Sequence, residues 1–484
     1  MNYSETMKFL NKKFNHCYSN SDYYNHISEW LDWYKGTIKK IHTVRVSNGI
    51  NTPSRDLFTL KMAKRVCEDW TSTLLNKDLL FVINSSNKKS SVFIQGSKGN
   101  GGVLGSNDFE NLLSTAIEKM FALGTSALVV ELNNINVDAE GYLLESPDAN
   151  ITIAQKDATC ILPISWVNGI IKEVAFLGEI VIKEQKYTIV TTHKKEDDGY
   201  VIYTDILDDK GAQKELPFGY VPVIRTKMQR PLFQILKTNI ANNIDLNSPL
   251  GLSVYANATD TLRACDEVYD SCIWDVKSGQ RIVFMNKNLL AKDENGTNIT
   301  PQDAKQYYMQ FFGDDMISEK GTEQFIKEFA PSLNTDKLDK ELQNQLNLLS
   351  SKVGLGRDFY KFENGTVVTA TEFLGERNDF VGNSNKLLKG LLFSLKELVK
   401  TLLYIGHDVM GANVDPDAKI DITYNDGVDV DDKELREQDR QDVKDGIMSK
   451  AEYRAKWYGE TLDEAQAAIN EIENASLENE SSVE

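Results

Sequence analysis

Two long amphipathic stretches of similar length, separated by a segment of different character, constrain the fold of this chain most strongly. Apolar residues recur at spacings of three and four in both stretches. This predicts one helix from Ser248-Pro249 to about Gly279 and a second from Asp336 to about Val353. The segment between them contains two predicted strands, at 281–285 and 323–329. Each stripe alone is typical of ordinary core packing, but two matched helices around a small β-rich insert form a distinctive arrangement.

The chain before these helices, residues 1–249, is predicted to be one α+β region. Residues 1–80 favour helices, and a short strand follows at 79–83. An amphipathic helix is expected from about Asp108 to Leu123, with Gly124 where a C-terminal cap belongs. Polar turns then separate short apolar segments, which indicates an antiparallel sheet. The strands expected in it are 127–132, 151–153, 174–176, 179–182, 187–192 and 200–206.

The last third of the chain is predicted to be mainly helical. Three capping boxes each pair an N-cap hydroxyl with a carboxylate three residues later, and so mark helix starts. They are Thr369-Ala-Thr-Glu372, Ser449-Lys-Ala-Glu452 and Thr461-Leu-Asp-Glu464. The first opens a helix to about Gly406, in which Gly375, Gly382 and Gly390 favour bends. A strand at 419–424, an acidic turn and helices at 433–445, 450–458 and 462–473 are expected after it, before a disordered polar tail.

Composition limits the classes of partner. With 484 residues, 41% of them hydrophobic, the chain is long enough for two to four domains. The net charge of −18, from 72 acidic and 54 basic residues, argues against tight binding of phosphate. An acidic wall would still let a DNA duplex slide past, although acidity that merely keeps a protein soluble explains the charge equally well. No apolar run reaches 18 residues, and the N-terminal Met1-Asn-Tyr-Ser-Glu-Thr6 lacks a basic flank followed by an apolar core. We therefore expect neither a membrane span nor a secretory signal.

Motifs for catalysis or for binding a cofactor or a metal do not emerge. The glycine-rich segment 96–105 lacks the Lys-Ser/Thr of a phosphate loop and the third glycine of a dinucleotide fingerprint, so a flexible surface loop is expected. The five histidines form no zinc motif and no dyad with the five widely spaced cysteines. The acidic turn 426–432 does not follow the calcium-loop register. We therefore expect a protein that is not an enzyme and binds no cofactor or metal.

Seven motifs, in this order and spacing over nearly the whole chain, resemble those of tailed-bacteriophage portal proteins. The similarity is to the type found in siphophages and prophages of Gram-positive bacteria. The motifs are Trp30-Leu-Asp-Trp-Tyr-Lys-Gly36 with His42, Leu60-Lys-Met-Ala-Lys-Arg-Val-Cys-Glu-Asp-Trp70, Gly251-Leu-Ser253 ahead of Asp266 and Tyr269, Thr369-Ala-Thr-Glu372, Asp445-Gly-Ile-Met-Ser-Lys450, Trp457-Tyr-Gly459 and Asp463-Glu-Ala465.

The resemblance implies a portal-type multidomain α+β fold. Its parts would be a wing, two stem helices around a β-rich clip, a tunnel loop, a kinked helix that returns to the wing, and a helical crown. The implied ranges are 1–249 for the wing, 250–279 for the first stem helix, 280–332 for the clip, 333–353 for the second stem helix, 354–369 for the tunnel loop, 370–427 for the kinked helix and return, 428–473 for the crown and 474–484 for the tail.

The resemblance also implies a function. Portal proteins form rings of about twelve subunits at one capsid vertex, with closed heterologous interfaces. They nucleate head assembly, and double-stranded DNA passes through them without sequence specificity during packaging and ejection. The implied partners are the terminase large subunit, the head–tail adaptor, and the major capsid and scaffolding proteins. The chain would reside in the virion, and in the host cytoplasm during assembly.

The tunnel loop would face the DNA. Its candidate residues are Gly354, Gly356, Arg357, Lys361, Asn364 and Gly365. Arg357 and Lys361 would make brief, sequence-independent phosphate contacts, or would instead pair with the local carboxylates Asp358 and Glu363. The alternative to a portal protein is a minor capsid or head–tail adaptor subunit, which shares the acidity but seldom needs two matched helices around a β insert.

Overall fold

The computed structural model describes most of the chain and divides it into two compact units, Met1–Thr423 and Tyr424–Glu484. The described residues are 2–18, 20–36, 38–45, 54–75, 80–85, 87–97, 101–279, 282–286, 294–296, 309–312, 326–330, 332–357, 359–360, 370–423, 432–446, 448–458 and 465–470. Helices and strands both contribute throughout the first unit, so the predicted α+β class is confirmed.

The helices pack mainly through apolar stripes. Their bounds are α1 Tyr3–Phe14, α2 Ser21–Lys35, α3 Lys39–His42, α4 Met62–Leu74, α5 Lys88–Gln95, α6 Gly102–Ser106, α7 Phe109–Leu123, α8 Thr259–Ser278, α9 Thr335–Lys352, α10 Ala370–Asp408, α11 Asp432–Lys444 and α12 Lys450–Tyr458. The predictions for α7, α9 and α12 are confirmed. Within the segment predicted to be a glycine-rich loop, residues 102–106 instead form the short helix α6.

The strands form several small sheets. Their bounds are β1 Thr43–Arg45, β2 Ser54–Asp56, β3 Leu80–Asn84, β4 Thr125–Asn133, β5 Asn150–Asp157, β6 Ile161–Val167, β7 Ile170–Ile182, β8 Gln185–Glu196, β9 Gly199–Leu207, β10 Gln213–Lys214, β11 Val223–Arg225, β12 Phe233–Lys237, β13 Ile282–Asn286, β14 Met309–Phe312, β15 Ile326–Phe329 and β16 Lys419–Thr423.

The predicted antiparallel sheet is two sheets. One has the order β10-β9-β8-β7-β6, with β11 also paired to β9, and the other has the order β12-β4-β5. The sequence pattern missed β6 and β12. It also divided β7 in two at Gly178, whereas the strand continues through this residue. A Cβ on Gly178 would lie 2.8 Å from Ile189 Cγ2 on the paired strand β8, so glycine serves the pairing and does not end the strand.

A layer of helices covers the three-stranded sheet and encloses the main core. α7 packs on β4, β5 and β12, and α2 and α4 pack on α7. Large aromatic side chains fill the space between these elements. Those with almost no exposed surface are Tyr23, Tyr24, Trp30, Trp70, Phe121 and Tyr255. Burial of this much aromatic surface is the main stabilising contribution in the region.

Two elements far apart in sequence are joined at the edge of this unit. β3 pairs antiparallel with β16, with Asn84 opposite Lys419 and Leu80 opposite Thr423. α10 packs against β16 and also against β12. Within the insert, β13 pairs with β14 in parallel and with β15 antiparallel, and the sequence pattern had missed β14.

The second unit contains α11 and α12. The predicted capping box is confirmed: the Ser449 backbone N–H donates to Glu452 Oε2 at 2.8 Å, and the Glu452 N–H donates to Ser449 Oγ at 3.1 Å. Trp457 Nε1 and Lys456 Nζ both donate to Asp439 Oδ2, at 2.7 and 2.6 Å, which fastens α12 to α11. Residues 465–470 are helical, within the helix predicted at 462–473, whereas both other capping boxes include residues outside the described ranges.

Among the described residues, no helix combines the length and the apolar character that crossing a bilayer requires.

Candidate functional site

The candidate site consists of the paired helices α8 and α9 and of the chain that leaves α9, because the expected tunnel loop starts there. α8 and α9 pack side by side through buried apolar residues. These are Leu262 and Cys265 on α8 and Leu342, Leu346 and Leu349 on α9. Polar contacts join the pair at both ends. Lys352 Nζ lies 3.0 Å from Asp260 Oδ1, and the Asn334 N–H donates to Asp275 Oδ2 at 2.7 Å.

Residues 248–255 are not helical, and α8 begins only at Thr259 after a short 3-10 helix at Ala256–Ala258, so the predicted start near Ser248-Pro249 is wrong. Several backbone groups of residues 251–254 bond to the core. The Gly251 N–H donates to Thr125 Oγ1 at 2.8 Å, the Leu252 carbonyl accepts from Thr238 Oγ1 at 2.6 Å, and the Val254 N–H donates to Phe121 O at 3.0 Å. Because the apolar residues of this non-helical segment are also buried, their spacing imitated a helical stripe.

A backbone contact between two glycines fixes this segment against the C-terminal end of α7. Gly124 ends α7 with φ +79°, and a Cβ there would lie 2.3 Å from Gly251 O. A Cβ on Gly251 would lie 2.2 Å from Gly124 O. Neither position therefore has space for a side chain, and the segment that leads into α8 begins at a close backbone contact.

Two buried carboxylates on α8 hold the residues around β2. Asp270 accepts two hydrogen bonds from Arg55, at 2.8 and 2.6 Å, and a third from the Phe58 N–H at 3.0 Å. The Arg55 guanidinium also stacks over Trp274, 4.6 Å from the ring centroid. Burial alone would raise the pKa of Asp270, but the bonds from Arg55 and Phe58 outweigh it and hold the pKa below its usual range.

Asp266, one turn earlier on α8, forms the second of these anchors. It accepts from the Leu60 N–H at 2.8 Å, and its Oδ2 lies 3.2 Å from His42 Nε2. The other ring nitrogen of His42 accepts from the Ile38 N–H at 3.2 Å. Burial raises the pKa of Asp266, with the contacts from Leu60 and His42 opposing it. α8 is thus joined to the N-terminal helical layer as well as to α9.

The chain leaving α9 turns sharply against α4. Trp70 Nε1 donates to the Val353 carbonyl at 3.1 Å, and Asn383 Nδ2 donates to the Gly354 carbonyl at 3.3 Å. Gly354 and Gly356 have φ of +82° and +93°, a region that side chains other than glycine rarely adopt. Leu355 between them is buried. The two glycines therefore set the direction in which the expected loop begins.

A second set of contacts anchors the loop a few residues later. Tyr360 Oη donates to Asp69 Oδ2 at 2.8 Å, and Gln343 Nε2 donates to the Tyr360 carbonyl at 2.8 Å. Phe359 packs near Phe380 on α10, with ring centroids 6.1 Å apart. Burial, together with the charge of Asp69, raises the pKa of Tyr360 well above its usual range. The phenol therefore keeps its proton near neutral pH and donates it to Asp69.

The structure describes only some of the predicted loop residues. Gly354 and Gly356 form the turn, and Arg357 is exposed after it. Arg357 has no hydrogen bond or ion pair to any residue that the structure describes, so the predicted choice between DNA and a local carboxylate stays open. Lys361, Asn364 and Gly365 lie outside the described residues. The sequence pattern missed the residues that hold the turn, namely Asp69, Trp70, Gln343 and Asn383, because their partners are remote in the chain.

A metal site is not found among the described residues. The described ranges contain no group of three or more His, Cys, Asp or Glu side chains arranged to hold a metal ion. What the arrangement provides is mechanical: two helices joined at both ends, anchored on one side to the N-terminal layer, and a turn held by glycines and buried donors.

Comparison with known proteins assigns the chain to a family. No curated protein matches it. Two similar solved structures are described as the neck of a native GTA particle computed with C12 symmetry and the neck of an empty GTA particle computed with C6 symmetry. Each is 10% identical, with a TM-score of 0.35 over 81% of this chain and 88% of that chain. The family described as phage portal protein, SPP1 Gp6-like, matches residues 11–482, so the chain belongs to that family of portal proteins.

Proposed function

We propose that this portal-family chain forms a ring of about twelve subunits, closed by heterologous interfaces, at one vertex of a phage capsid. Double-stranded DNA would enter the capsid through the ring during packaging and leave through it during ejection. The observation that carries this proposal is the pair α8 and α9, which leads into and out of the strands β13–β15 and is followed by the anchored turn at Gly354. The family match favours this role over that of a minor capsid or adaptor subunit.

The domain roles implied by the resemblance are part of the proposal. Residues 1–249 with the chain after α10 would be the wing, α8 and α9 the stem, and 280–332 the clip. The pairing of β3 with β16 supports the return of the chain to the wing, because it brings residues 419–423 back to the N-terminal region. Residues 428–473 would be the crown, and 354–369 the tunnel loop.

The tunnel loop would contact DNA through few cations. Arg357 leaves the glycine turn exposed, so it is free to reach a phosphate, and Lys361 would follow it. A chain of net charge −18 would not add a strong general attraction, so these contacts would stay brief and sequence-independent. The strong anchoring of Val353 and Tyr360 would keep the base of the loop fixed while its tip follows the duplex.

The clip would dock the terminase large subunit during packaging and the head–tail adaptor afterwards. Major capsid and scaffolding proteins would surround the ring when it nucleates the head, in the host cytoplasm. The final location would be the portal vertex of the virion.

The experiment that tests the proposal is mass measurement with negative-stain imaging of the purified full chain. Twelve copies of the 54.6 kDa chain give about 655 kDa, and images should show a ring with a central hole. A chain that stays monomeric at every salt concentration and protein concentration, and that is absent from purified particles, contradicts the proposal.

A further inference from the structure

A wide groove in the first unit has no role in the chain's own core. It runs between α10, β12 and the start of β7, and its volume is about 1190 Å³. Thr401 and Ser394 on α10 approach the carbonyls of Pro231 and Ile235 at 3.4 and 3.5 Å, so these contacts hold the two sides together. The opening is thus supported by bonded elements on both sides, and it is not a gap between loosely packed parts.

Large apolar side chains along the groove face water. Phe393 on α10 is 66% exposed and Ile170 on β7 is 59% exposed, although both line the opening. A phenyl ring left in water forgoes the stabilisation that its burial would bring. Exposed apolar groups that converge on one concave surface are typical of a site where a protein partner packs.

The charge of the groove is opposite to that of the chain. Five cationic residues line it, namely Lys172, Lys195, Lys227, Arg230 and Lys237, against the two carboxylates of Glu397 and Asp408. Arg230 pairs with Glu397 at 2.5 Å. The remaining four cations have no carboxylate partner among the described residues. The whole chain carries −18, so this groove is a local positive surface on an acidic protein.

Lys237 is the most constrained of these cations. Its ammonium donates to the carbonyls of Gly169 at 2.6 Å and Pro249 at 2.9 Å. Burial lowers its pKa, since no carboxylate offsets the loss of solvent. Two neutral acceptors leave its positive charge uncompensated at the wall of the groove, where an incoming carboxylate would be favoured.

Gly390 is a position on the groove wall with open space in front of it. It lies inside α10 and lines the groove, and a Cβ built there would meet no atom within 4 Å. Glycine inside a helix is destabilising relative to alanine. At Gly406 on the same helix the chain's own packing requires glycine, because a Cβ would lie 2.8 Å from the Phe93 ring. At Gly390 nothing in the chain itself requires the missing side chain, which suits the close approach of a second molecule.

We infer that this groove receives an acidic surface of the neighbouring copy of the chain, and that it is one half of the heterologous contact between subunits. The inference rests on the proposed ring. Charge complementarity identifies the occupant: a positive, partly apolar groove matches a second copy of a chain with 72 acidic and 54 basic residues. The other half of the contact is a different surface of the neighbour, as a ring requires.

The test blocks the groove without disturbing the fold. Gly390→Phe places a ring in open space, so the monomer keeps its structure while the neighbour is excluded. Gly382→Phe is the matched control, because Gly382 lies on the same helix, also faces open space, and does not line the groove. We expect Gly390→Phe to raise the concentration needed for half-assembly at least about tenfold. Gly382→Phe should leave it unchanged, with native circular dichroism in both.

A second variant tests the charge. Lys172→Glu combined with Lys195→Glu should also shift the mass distribution toward the 54.6 kDa monomer, and more strongly at low salt than at high salt. Rings formed by Gly390→Phe as readily as by the unaltered chain would overturn the inference and leave the proposed function intact. Equal loss in Gly390→Phe and Gly382→Phe would also overturn it. If the unaltered chain forms no ring, the proposed function itself fails.

Discussion

The anchor at Asp270 allows a prediction with a defined magnitude. Asp270→Asn keeps the size of the side chain but removes the charge that accepts from Arg55 and from the Phe58 N–H. The NH₂ group of the amide would also face one of the donors from Arg55 or Phe58, and two donors cannot bond to each other. We therefore expect the residues around β2 to separate from α8 more often, while α8 and α9 stay paired.

The size of the effect follows from burial. Removing one partner of a buried ion pair costs about 3–5 kcal/mol. The Asp270 side chain is 7% exposed and the Arg55 side chain is 26% exposed, so water can partly solvate the guanidinium once its partner is lost. We expect the lower end, about 3 kcal/mol in the free energy of local opening, which is about a hundredfold loss of protection.

Native-state hydrogen exchange at the amides of Phe58 and Leu60 measures this directly. The matched control is Asp260→Asn on the same helix. Asp260 also forms an ion pair, with Lys352, but its side chain is 77% exposed. An exposed pair contributes about 0–1 kcal/mol, so exchange at Phe58 should hardly change in the control.

The pH dependence gives a second check. The pKa of Asp270 is lowered in the folded state. Its stabilising contribution is therefore complete above the unfolded pKa of about 3.9 and is lost as pH falls through the folded pKa. The difference in the free energy of local opening between the Asp270→Asn variant and the unaltered chain should be constant near neutral pH and shrink below about pH 4. Equal exchange in the Asp270 and Asp260 variants would refute the reasoning.

Three further variants test other contacts. Tyr360→Phe removes the donor to Asp69, a bond worth about 1.5–3 kcal/mol, and should speed tryptic cleavage after Arg357 at least about tenfold. The control Tyr187→Phe should not change this cleavage, because the Tyr187 hydroxyl bonds to the exposed Gln185. Ser449→Ala should cost α12 about 1 kcal/mol, seen as faster exchange at residues 450–453; unchanged exchange would mean that the capping box does not hold the helix. Arg357→Glu with Lys361→Glu should lower DNA packaging yield without altering ring mass, and normal yield would count against a DNA-facing loop.

Local patterns predicted most of the helices because their causes are local. The apolar spacing of α7 and α9 and the capping box at Ser449 lie within a few residues of the elements that they define. The same reasoning placed the start of α8 too early. Leu250, Leu252 and Val254 are buried in a non-helical segment whose backbone bonds to Phe121, Thr125 and Thr238.

The site was less predictable because its contacts are long-range. The loop glycines and Arg357 were candidates because the resemblance to portal proteins implied a tunnel loop at 354–369. Trp70, which fixes the turn, lies 283 residues from its partner Val353, and Tyr360 lies 291 residues from Asp69. No periodicity in a single sequence encodes such pairs. The DNA-facing roles assigned to Gly354, Gly356, Arg357, Lys361, Asn364 and Gly365 all stay predictions.

The pairing of β3 with β16 has a consequence for synthesis of the protein in the cell. β3 has β16 as its partner in a two-stranded sheet, and about 335 residues separate Asn84 from Lys419. At a translation rate of about 5–20 residues per second, β3 would leave the ribosome roughly 17–70 s before β16 exists. During that interval its apolar residues Phe81, Val82 and Ile83 present an open strand edge, which can recruit similar strands from other nascent chains. Yield on overexpression should therefore depend on chaperones or on slow growth more than the stability of the finished fold would suggest.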